Sequence, residues 1–158
     1  MNIVVMSDTH LYEVTPQFEA LCERYCRGAD LVIHLGDIVG QTVLDYLLQF
    51  PFEGVCGNMD GSGIRRQLPA KKILRLGKYR VGLIHGWGAA VELPESLCAE
   101  FQDVDVVMFG HTHEPLQERV NGILWFNPGS VSAGRRGSPC SLGLVRVDTG
   151  FHADIVPV

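Results

Sequence analysis

The stretch Phe109-Gly110-His111-Thr112-His113 follows an apolar run that begins at Val104. In an extended segment successive side chains point to opposite faces, so His111 and His113, two positions apart, point the same way. Two imidazoles that converge at the end of a buried strand are placed to bind a metal ion. One such pair alone is weak evidence, but the chain repeats the construction.

Four other strand-like runs end in the same manner. The first run leads into Asp8 and His10, which are again two positions apart, and the other three end in a carboxylate, an amide and an imidazole. In open α/β sheets ligand sites lie outside the carboxyl ends of the strands, so these groups are expected to meet at one edge. Together the five runs supply seven candidate metal ligands: Asp8, His10, Asp37, Asn58, His85, His111 and His113.

The first third of the chain alternates strand-like and helix-like segments. Runs at 2–6, 31–35 and 52–56 fit buried strands. An amphipathic helix is expected after the capping pair Thr15-Pro16, stopping near Gly28. This order predicts parallel strands joined by helical crossovers. The second predicted helix ends before Pro51 and carries four residues on its inner side: Val43, Leu44, Leu47 and Leu48.

Hairpins dominate the rest of the chain. Turns at 77–78, 121–122 and 148–150 each separate two strand-like runs, and Asn121-Gly122 is the strongest of these signals. A helix is predicted over Pro94 to Phe101 and a buried strand over Val104 to Phe109. Parallel strands with helices, together with hairpins, predict an α/β protein in which two sheets pack together and helices cover their outer faces. No linker or repeat interrupts the pattern, so residues 1–158 are expected to form a single domain.

Composition restricts the classes of function. Hydrophobic residues make up 46% of the 158 residues and charged residues 20%, which is typical of a globular protein. A net charge of −5 disfavours a nucleic-acid-binding surface of the usual basic kind, but it is compatible with a small phosphorylated substrate held through cations. A homo-oligomer is left open by the sequence.

Cysteine usage and the amino terminus bear on location. The five cysteines are odd in number and lack CxxC spacing, which favours free or buried thiols in a reducing compartment. The amino terminus has no basic region before its short apolar run, and no segment approaches the ~20 apolar residues of a membrane span. We therefore expect a cytoplasmic protein with no membrane partner.

Seven ligands are too many for one ion with an open position but suit two ions that share a carboxylate. Imidazole and oxygen donors without thiolate favour manganese, iron, zinc or nickel over calcium. Two divalent ions bring +4, two aspartates −2 and a bridging hydroxide −1, which leaves about +1 at the centre. Such a centre attracts an anionic phosphoryl oxygen, so the expected reaction is phosphoester hydrolysis by the hydroxide.

An ordered set of motifs resembles the calcineurin-like metallophosphoesterases. The short length and the later turn 127–130 resemble the small YfcE-like phosphodiesterase branch, and the resemblance spans residues 3 to about 132. The motifs are D-x-H at Asp8 and His10, G-D at Gly36-Asp37, G-N at Gly57-Asn58, H-G at His85-Gly86, and G-H-x-H from Gly110 to His113.

The resemblance implies a four-layer αββα sandwich of two mixed sheets flanked by helices. It also implies two divalent ions, with manganese expected and zinc, iron and nickel as alternatives. One ion would be held by Asp8, His10, Asp37 and His113, and the other by Asp37, Asn58, His85 and His111, with Asp37 bridging. Three of these residues would act catalytically through the metals and the hydroxide: Asp37, Asn58 and His85.

One departure from the family concerns the leaving group. Many relatives place a histidine after the asparagine, whereas this chain has Met59 followed by Asp60. A thioether cannot donate a proton, so either Asp60, a metal-bound water or another group supplies it, or the natural leaving group needs little help.

The remaining candidate residues are four arginines and one histidine. Arg65, Arg66, Arg135 and Arg136 lie in Gly/Ser-rich stretches expected to be loops, and Arg65 and Arg135 are the candidates for binding substrate phosphate; solvated loop arginines are the alternative. His34, between apolar neighbours, is expected to be a packed and hydrogen-bonded core residue.

The leading function is a phosphodiesterase acting on a small or nucleotide-like diester. A phosphomonoesterase with the same centre is the first alternative. The second is a non-catalytic protein-interaction scaffold, because the fold also resembles that of the retromer subunit. All seven ligand positions hold chemically able groups, which favours catalysis.

Overall fold

The computed structural model describes residues 1–88, 97, 99–135 and 137–158. Within these residues ten strands form two five-stranded sheets, each with parallel and antiparallel pairs. The first sheet has the order β10-β9-β1-β2-β3, in which β1, β2 and β3 are parallel. Its strands are β1 (Asn2–Met6), β2 (Leu31–His34), β3 (Phe52–Gly54), β9 (Ser141–Val147) and β10 (Phe151–Pro157).

The second sheet has the order β4-β5-β6-β8-β7, in which β5, β6 and β8 are parallel. All three predicted hairpins are confirmed as antiparallel pairs, namely β4 with β5, β7 with β8, and β9 with β10. Its strands are β4 (Lys71–Leu76), β5 (Tyr79–Ile84), β6 (Val106–Met108), β7 (Leu116–Val120) and β8 (Ile123–Asn127).

Three helices lie in the described residues: α1 (Pro16–Tyr25), α2 (Gln41–Leu47) and α3 (Ser62–Gln67). The predicted start of α1 is confirmed, because the Thr15 hydroxyl accepts a hydrogen bond from the Phe18 amide at 3.2 Å. The predicted inward position of Leu48 is wrong: it caps the end of α2 and is 47% exposed.

Two further predictions concern helices. The stretch with Arg65 and Arg66 was expected to be a loop and is instead helix α3, whose single buried residue is Ile64. A six-residue helix with one apolar anchor has too little periodicity to be recognised in sequence. The helix predicted over 94–101 falls mostly outside the described residues, but Leu97 and Phe101 are buried as expected.

Packing follows the predicted layers. Side chains such as Val5, Leu83 and Phe126 fill the space between the two sheets, and each fully buried large apolar side chain contributes about 1.5–3 kcal/mol. Helices α1 to α3 cover the outer face of the first sheet. Leu97 and Phe101 pack on the outer face of the second. None of the described helices is long and apolar enough to cross a membrane.

This topology places the carboxyl ends of the parallel strands of both sheets at one edge of the molecule. Three parallel strands in each sheet end at that edge, and all seven candidate ligands follow their carboxyl ends. Backbone hydrogen bonds fasten the loops together there: the Asp8 amide donates to the Gly36 carbonyl at 3.0 Å, and the Gly110 amide donates to the His85 carbonyl at 3.0 Å. Within each sheet, backbone hydrogen bonds therefore hold neighbouring ligand loops together.

Candidate metal centre

Three of the seven predicted ligands, Asp8, His10 and His113, lie close enough to share one metal ion, and Asp37 lies beside them. The Asp8 Oδ1 atom lies 3.2 Å from His113 Nε2 and 3.7 Å from His10 Nε2. His10 Nε2 is 3.2 Å from His113 Nε2 and 3.6 Å from Asp37 Oδ2. A metal with bonds of 2.0–2.2 Å in tetrahedral geometry separates its ligand atoms by about 3.3–3.6 Å. The spacing matches that of a metal site.

The other three lie beside this group. His85 Nε2 is 3.3 Å from Asp37 Oδ2 and 3.1 Å from Asn58 Oδ1. His111 reaches the cluster through Asn58, with its Nδ1 atom 3.0 Å from the amide oxygen. The structure thus brings all seven side chains together, with Asp37 Oδ2 between the two groups. Their allocation to two separate ions stays a prediction.

Each of two imidazoles has one ring nitrogen near a backbone carbonyl, and this contact sets which nitrogen faces the cluster. His85 Nδ1 lies 2.7 Å from the Leu35 carbonyl and His113 Nδ1 lies 2.8 Å from the Ala133 carbonyl. A carbonyl only accepts, so these Nδ1 atoms carry protons, and the Nε2 lone pairs of neutral rings point at the cluster. Such fixed orientation is typical of metal-binding histidines.

Asp8 supplies the clearest test of whether a cation fits. Its Oδ2 atom accepts hydrogen bonds from the Ser7 hydroxyl at 2.6 Å and from the His111 amide at 2.9 Å. Its Oδ1 atom is buried and has no hydrogen-bond partner among the described residues. A buried carboxylate oxygen surrounded by imidazole nitrogens is costly unless a cation sits among them. The residues present therefore fit a divalent metal ion.

The pKa shifts express the same electrostatics. Burial raises the pKa of Asp8, but the neighbouring imidazoles of His10 and His113 outweigh it and hold this pKa well below the usual range. The pKa of Asp37 is also lowered, because its contact with His85 outweighs burial. Burial lowers the pKa of His85, but Asp37 raises it overall, and the nearby Asp8 carboxylate raises the pKa of His113. The cluster thus favours positive charge.

The backbone at the ligands differs from the expected extended geometry. Asp8, His10, Asp37, His111 and His113 have φ angles between 48° and 69°, in the left-handed region. The idea that ligands two apart share one face of an extended segment is therefore wrong. They converge because left-handed residues turn the chain. Each such residue costs about 1–3 kcal/mol and marks a functional site when the surrounding structure enforces it.

Two glycines allow the loops to approach closely. A Cβ atom on Gly57 would collide with the Oδ1 atom and the amide nitrogen of Asp37. A Cβ atom on Gly110 would collide with the Ser7 hydroxyl and reach 2.9 Å from Asp8 Oδ2. The glycines of the G-N and G-H-x-H motifs are therefore required by the packing of the ligand loops.

Residues at the end of β8 and in the turn after it hold the loops that carry the ligands. The Asn127 amide group donates to the Gly110 carbonyl at 2.9 Å and to the Thr112 hydroxyl at 3.0 Å. The Ser130 hydroxyl donates to the Asp8 carbonyl at 2.7 Å. The sequence indicated a turn at 127–130 but not the Ser130 contact, because a serine in a Pro-Gly turn carries no signal of a partner 122 residues away.

Asp60 has contacts that bear on its predicted role as a proton donor. Its Oδ2 atom accepts hydrogen bonds from the amides of Asp37 at 3.0 Å and Gly57 at 2.7 Å. Its Oδ1 atom accepts one from the amide of Val39 at 2.8 Å. Val39 has φ 79°, an unusual value for a β-branched residue. The buried carboxylate thus holds three loop amides, which favours a positioning role; proton donation stays untested.

The arginines separate into different positions. Arg65 donates to the carbonyls of Asp60 at 2.7 Å, Gly57 at 2.8 Å and Asn58 at 3.0 Å, so it braces the Asn58 loop. Arg135 is exposed and close enough to His113 for its charge to oppose protonation of that imidazole. Arg66 is an exposed residue of α3, and Arg136 lies outside the described residues.

His34 is a core residue, as predicted. It is fully buried, its Nδ1 atom accepts a hydrogen bond from the Gly36 amide at 3.2 Å, and its Nε2 atom is 2.7 Å from the Thr9 hydroxyl. Burial lowers its pKa to about 4. The neutral imidazole therefore links the Asp8 and Asp37 loops without facing the ligand cluster.

The family model described as the calcineurin-like phosphoesterase superfamily domain matches residues 1–150. The chain belongs to this superfamily. The phosphoesterase is 42% identical to the phosphodiesterase YfcE of Escherichia coli, over 94% of this chain and 89% of that protein. It is 33% identical to a probable metallophosphoesterase of Methanocaldococcus jannaschii, over 100% of this chain and 82% of that protein.

A solved structure extends the comparison of folds. Vps29 from Chaetomium thermophilum superposes on the phosphoesterase with a TM-score of 0.78, covering 99% of this chain and 96% of that chain. The identity is 21%, so the likeness shows the shared fold alone. The predicted architecture of two mixed sheets flanked by helices is confirmed.

Proposed function

We propose that this phosphoester hydrolase is a phosphodiesterase that uses two divalent metal ions at the seven-residue cluster. The observation that carries the proposal is the buried Asp8 Oδ1 atom, which faces imidazole nitrogens and finds no hydrogen-bond partner in the part of the chain that the structure describes. Relatives named as phosphodiesterase and metallophosphoesterase support the same class of reaction.

The proposed ligand sets are Asp8, His10, Asp37 and His113 for one ion, and Asp37, Asn58, His85 and His111 for the other. When bound, such ions would activate water at neutral pH and attract an anionic phosphoryl oxygen. Manganese is the proposed metal, with zinc, iron and nickel as alternatives, because the donors are imidazoles and oxygens.

Other residues of the protein would orient the metal ligands and the substrate phosphate. The carbonyls of Leu35 and Ala133 fix the rings of His85 and His113, and Asp60 fixes the Asp37 backbone. Arg135 is the proposed contact for a nonbridging phosphate oxygen, since it is exposed and near His113. Arg65 already donates to three carbonyls, which makes it the weaker candidate for this contact.

The remaining parts of the proposal concern context. We propose a single domain over residues 1–158, because strands from both chain ends share one sheet. A cytoplasmic location is consistent with the four described cysteines being free thiols. Small phosphodiesters are the proposed substrates, and the net charge of −5 argues against nucleic acid.

The test is a substrate and metal screen. Protein stripped of metal is reconstituted separately with manganese, zinc, iron and nickel, and each form is assayed with bis(4-nitrophenyl) phosphate, 4-nitrophenyl phosphate and a cyclic nucleotide. We expect diester hydrolysis to exceed monoester hydrolysis, and chelator to remove both. Faster monoester hydrolysis would favour a phosphomonoesterase. Metal binding without hydrolysis of any ester would favour a scaffold.

A further inference from the structure

A cavity of about 350 Å³ opens beside the candidate metal centre, on the side of Asn58 and His85. Its wall includes the indole of Trp87 and the side chain of Ile84. Trp87 is 47% exposed, whereas Ile84 is 5% exposed. A large apolar ring that is left half in water next to reactive groups is suited to cover a ligand.

The charged groups of the wall are already engaged with protein partners. The Lys71 ammonium group pairs with the Glu100 carboxylate at 2.8 Å. Arg65 donates to three backbone carbonyls of the Asn58 loop. A second phosphate would have to compete with these partners, whereas a flat neutral ring needs only the apolar surface. The wall therefore favours an aromatic group.

The chemistry of the leaving group points the same way. Met59, beside Asn58, is 58% exposed and has no proton to donate. Both oxygens of Asp60 accept backbone hydrogen bonds. Hydrolysis adds water to phosphorus, breaks the bond to the leaving oxygen and leaves the electron pair on that oxygen, while a proton of water passes to solvent. A phenol, with a pKa of about 10, departs without protonation more readily than an alkyl alcohol.

We propose that this cavity binds the aromatic alcohol of an aryl phosphodiester, with the ring stacked on Trp87. The inference rests on the proposed function and narrows its substrate class. It makes Trp87 a specificity-determining residue, because stacking is available to an aryl group and is unavailable to a methyl group of the same charge. The phosphate itself would remain at the metal centre.

Binding of two phosphonates tests the subsite without turnover. Phenylphosphonate and methylphosphonate are titrated calorimetrically into metal-loaded protein, and we expect phenylphosphonate to bind about five to ten times more tightly. Trp125 is 1% exposed, so a change in tryptophan fluorescence on adding phenylphosphonate would report Trp87. Methylphosphonate is expected to leave the fluorescence unchanged.

Variants locate the effect. Trp87→Ala is expected to remove most of the preference for phenylphosphonate, and Trp87→Phe to retain part of it. Leu48→Ala is the matched control, because Leu48 is also 47% exposed but lies at the end of α2. With bis(4-nitrophenyl) phosphate, Trp87→Ala is expected to raise KM about fivefold and to change kcat less than twofold. Thermal unfolding of each variant identifies any loss of fold.

The possible outcomes distinguish a failure of the proposed aromatic subsite from a failure of the proposed function. Equal binding of the two phosphonates by a wild-type enzyme that hydrolyses diesters would overturn the subsite and leave the proposed function intact. An unchanged preference in folded Trp87→Ala would do the same. Absence of hydrolysis with every metal would overturn the proposed function, and the aryl-phosphodiester inference would fall with it.

Discussion

The carboxylate of Asp60 accepts a hydrogen bond from the backbone amide of Asp37 at 3.0 Å. Asp37 is the residue proposed to bridge two metals, so a side chain 23 positions later holds its backbone in the left-handed conformation, with φ 57°. Asp60 also binds the amides of Val39 and Gly57. One buried carboxylate thus joins the loops after β2 and β3.

We therefore expect Asp60→Asn to weaken metal binding about 10- to 100-fold and to reduce stability by about 1–3 kcal/mol, because an amide nitrogen cannot accept these hydrogen bonds. Metal titration and denaturant unfolding measure the two effects. Asp45→Asn is the control, since exposed Asp45 contacts Gln41 on α2. Equal metal affinity in the two variants would remove the positioning role.

The proposed bridge makes its own prediction. Asp37 Oδ2 lies 3.6 Å from His10 Nε2 and 3.3 Å from His85 Nε2, so one oxygen faces both groups of ligands. Asp37→Ala is expected to abolish hydrolysis and to lower the metal content from two ions per chain. Elemental analysis of the purified protein gives that count. Full metal content with wild-type turnover would contradict a dinuclear centre.

As pH is lowered, metal affinity is expected to start falling at a higher pH than that at which an ordinary histidine protonates. The pKa values of His85 and His113 are raised above 6.5, so protons compete with metal from above that pH. In metal-free protein these histidines contribute stability that is fully present below pH 6.5 and lost as pH rises through the raised values. The stability difference between metal-loaded and chelated protein is therefore expected to widen from pH 6.5 to 8.5, as measured by thermal unfolding. A constant difference would argue against both imidazoles as ligands.

Met59 provides a test of proton supply to the leaving group. Its backbone amide donates to Asp37 Oδ1 at 2.7 Å, and a change of side chain leaves that amide in place. Met59→His is expected to flatten the dependence of log rate on leaving-group pKa and to accelerate alkyl diesters by about 10²-fold or more. The measurement is a series of diesters with chemistry as the slow step. A shallow wild-type slope would mean that another group already donates the proton.

His34 is expected to limit stability in acid. Its pKa is about 4 in the folded protein, against 6.5 for the free side chain, so the unfolded chain binds the extra proton between these values. Stability is therefore lost as pH falls from 6.5 to about 4, by up to about 3 kcal/mol. His34→Gln is expected to be less stable at pH 7 and to lose less stability over that interval. Chelated samples of both proteins, unfolded at several pH values, provide the comparison.

Much of the architecture could be predicted from local sequence. The turn Asn121-Gly122 joins β7 and β8 as expected, and Thr15 caps α1. Turn type and capping depend on a few neighbouring residues, so their signals are contained in short windows. The short helix α3 escaped because a single buried residue gives no periodicity.

The identity of the candidate ligands also came from the sequence, because each polar residue follows a recognisable apolar run. Their convergence required the fold. Left-handed backbone at Asp8, Asp37 and His113 turns the loops toward one another, and no pattern of apolar residues encodes a positive φ at an aspartate or a histidine. Tertiary contacts enforce those conformations and offset their cost.

The residues that support the site were decided by tertiary structure alone. Asp60 binds the Asp37 amide, and Ser130 donates to the Asp8 carbonyl across 122 positions. A hydrogen bond between a side chain and a distant backbone group depends on where two sheets place their loops, and the residue type by itself does not specify its partner. The sequence therefore determined which groups can bind metal, and the packing of two sheets decided how those groups are held.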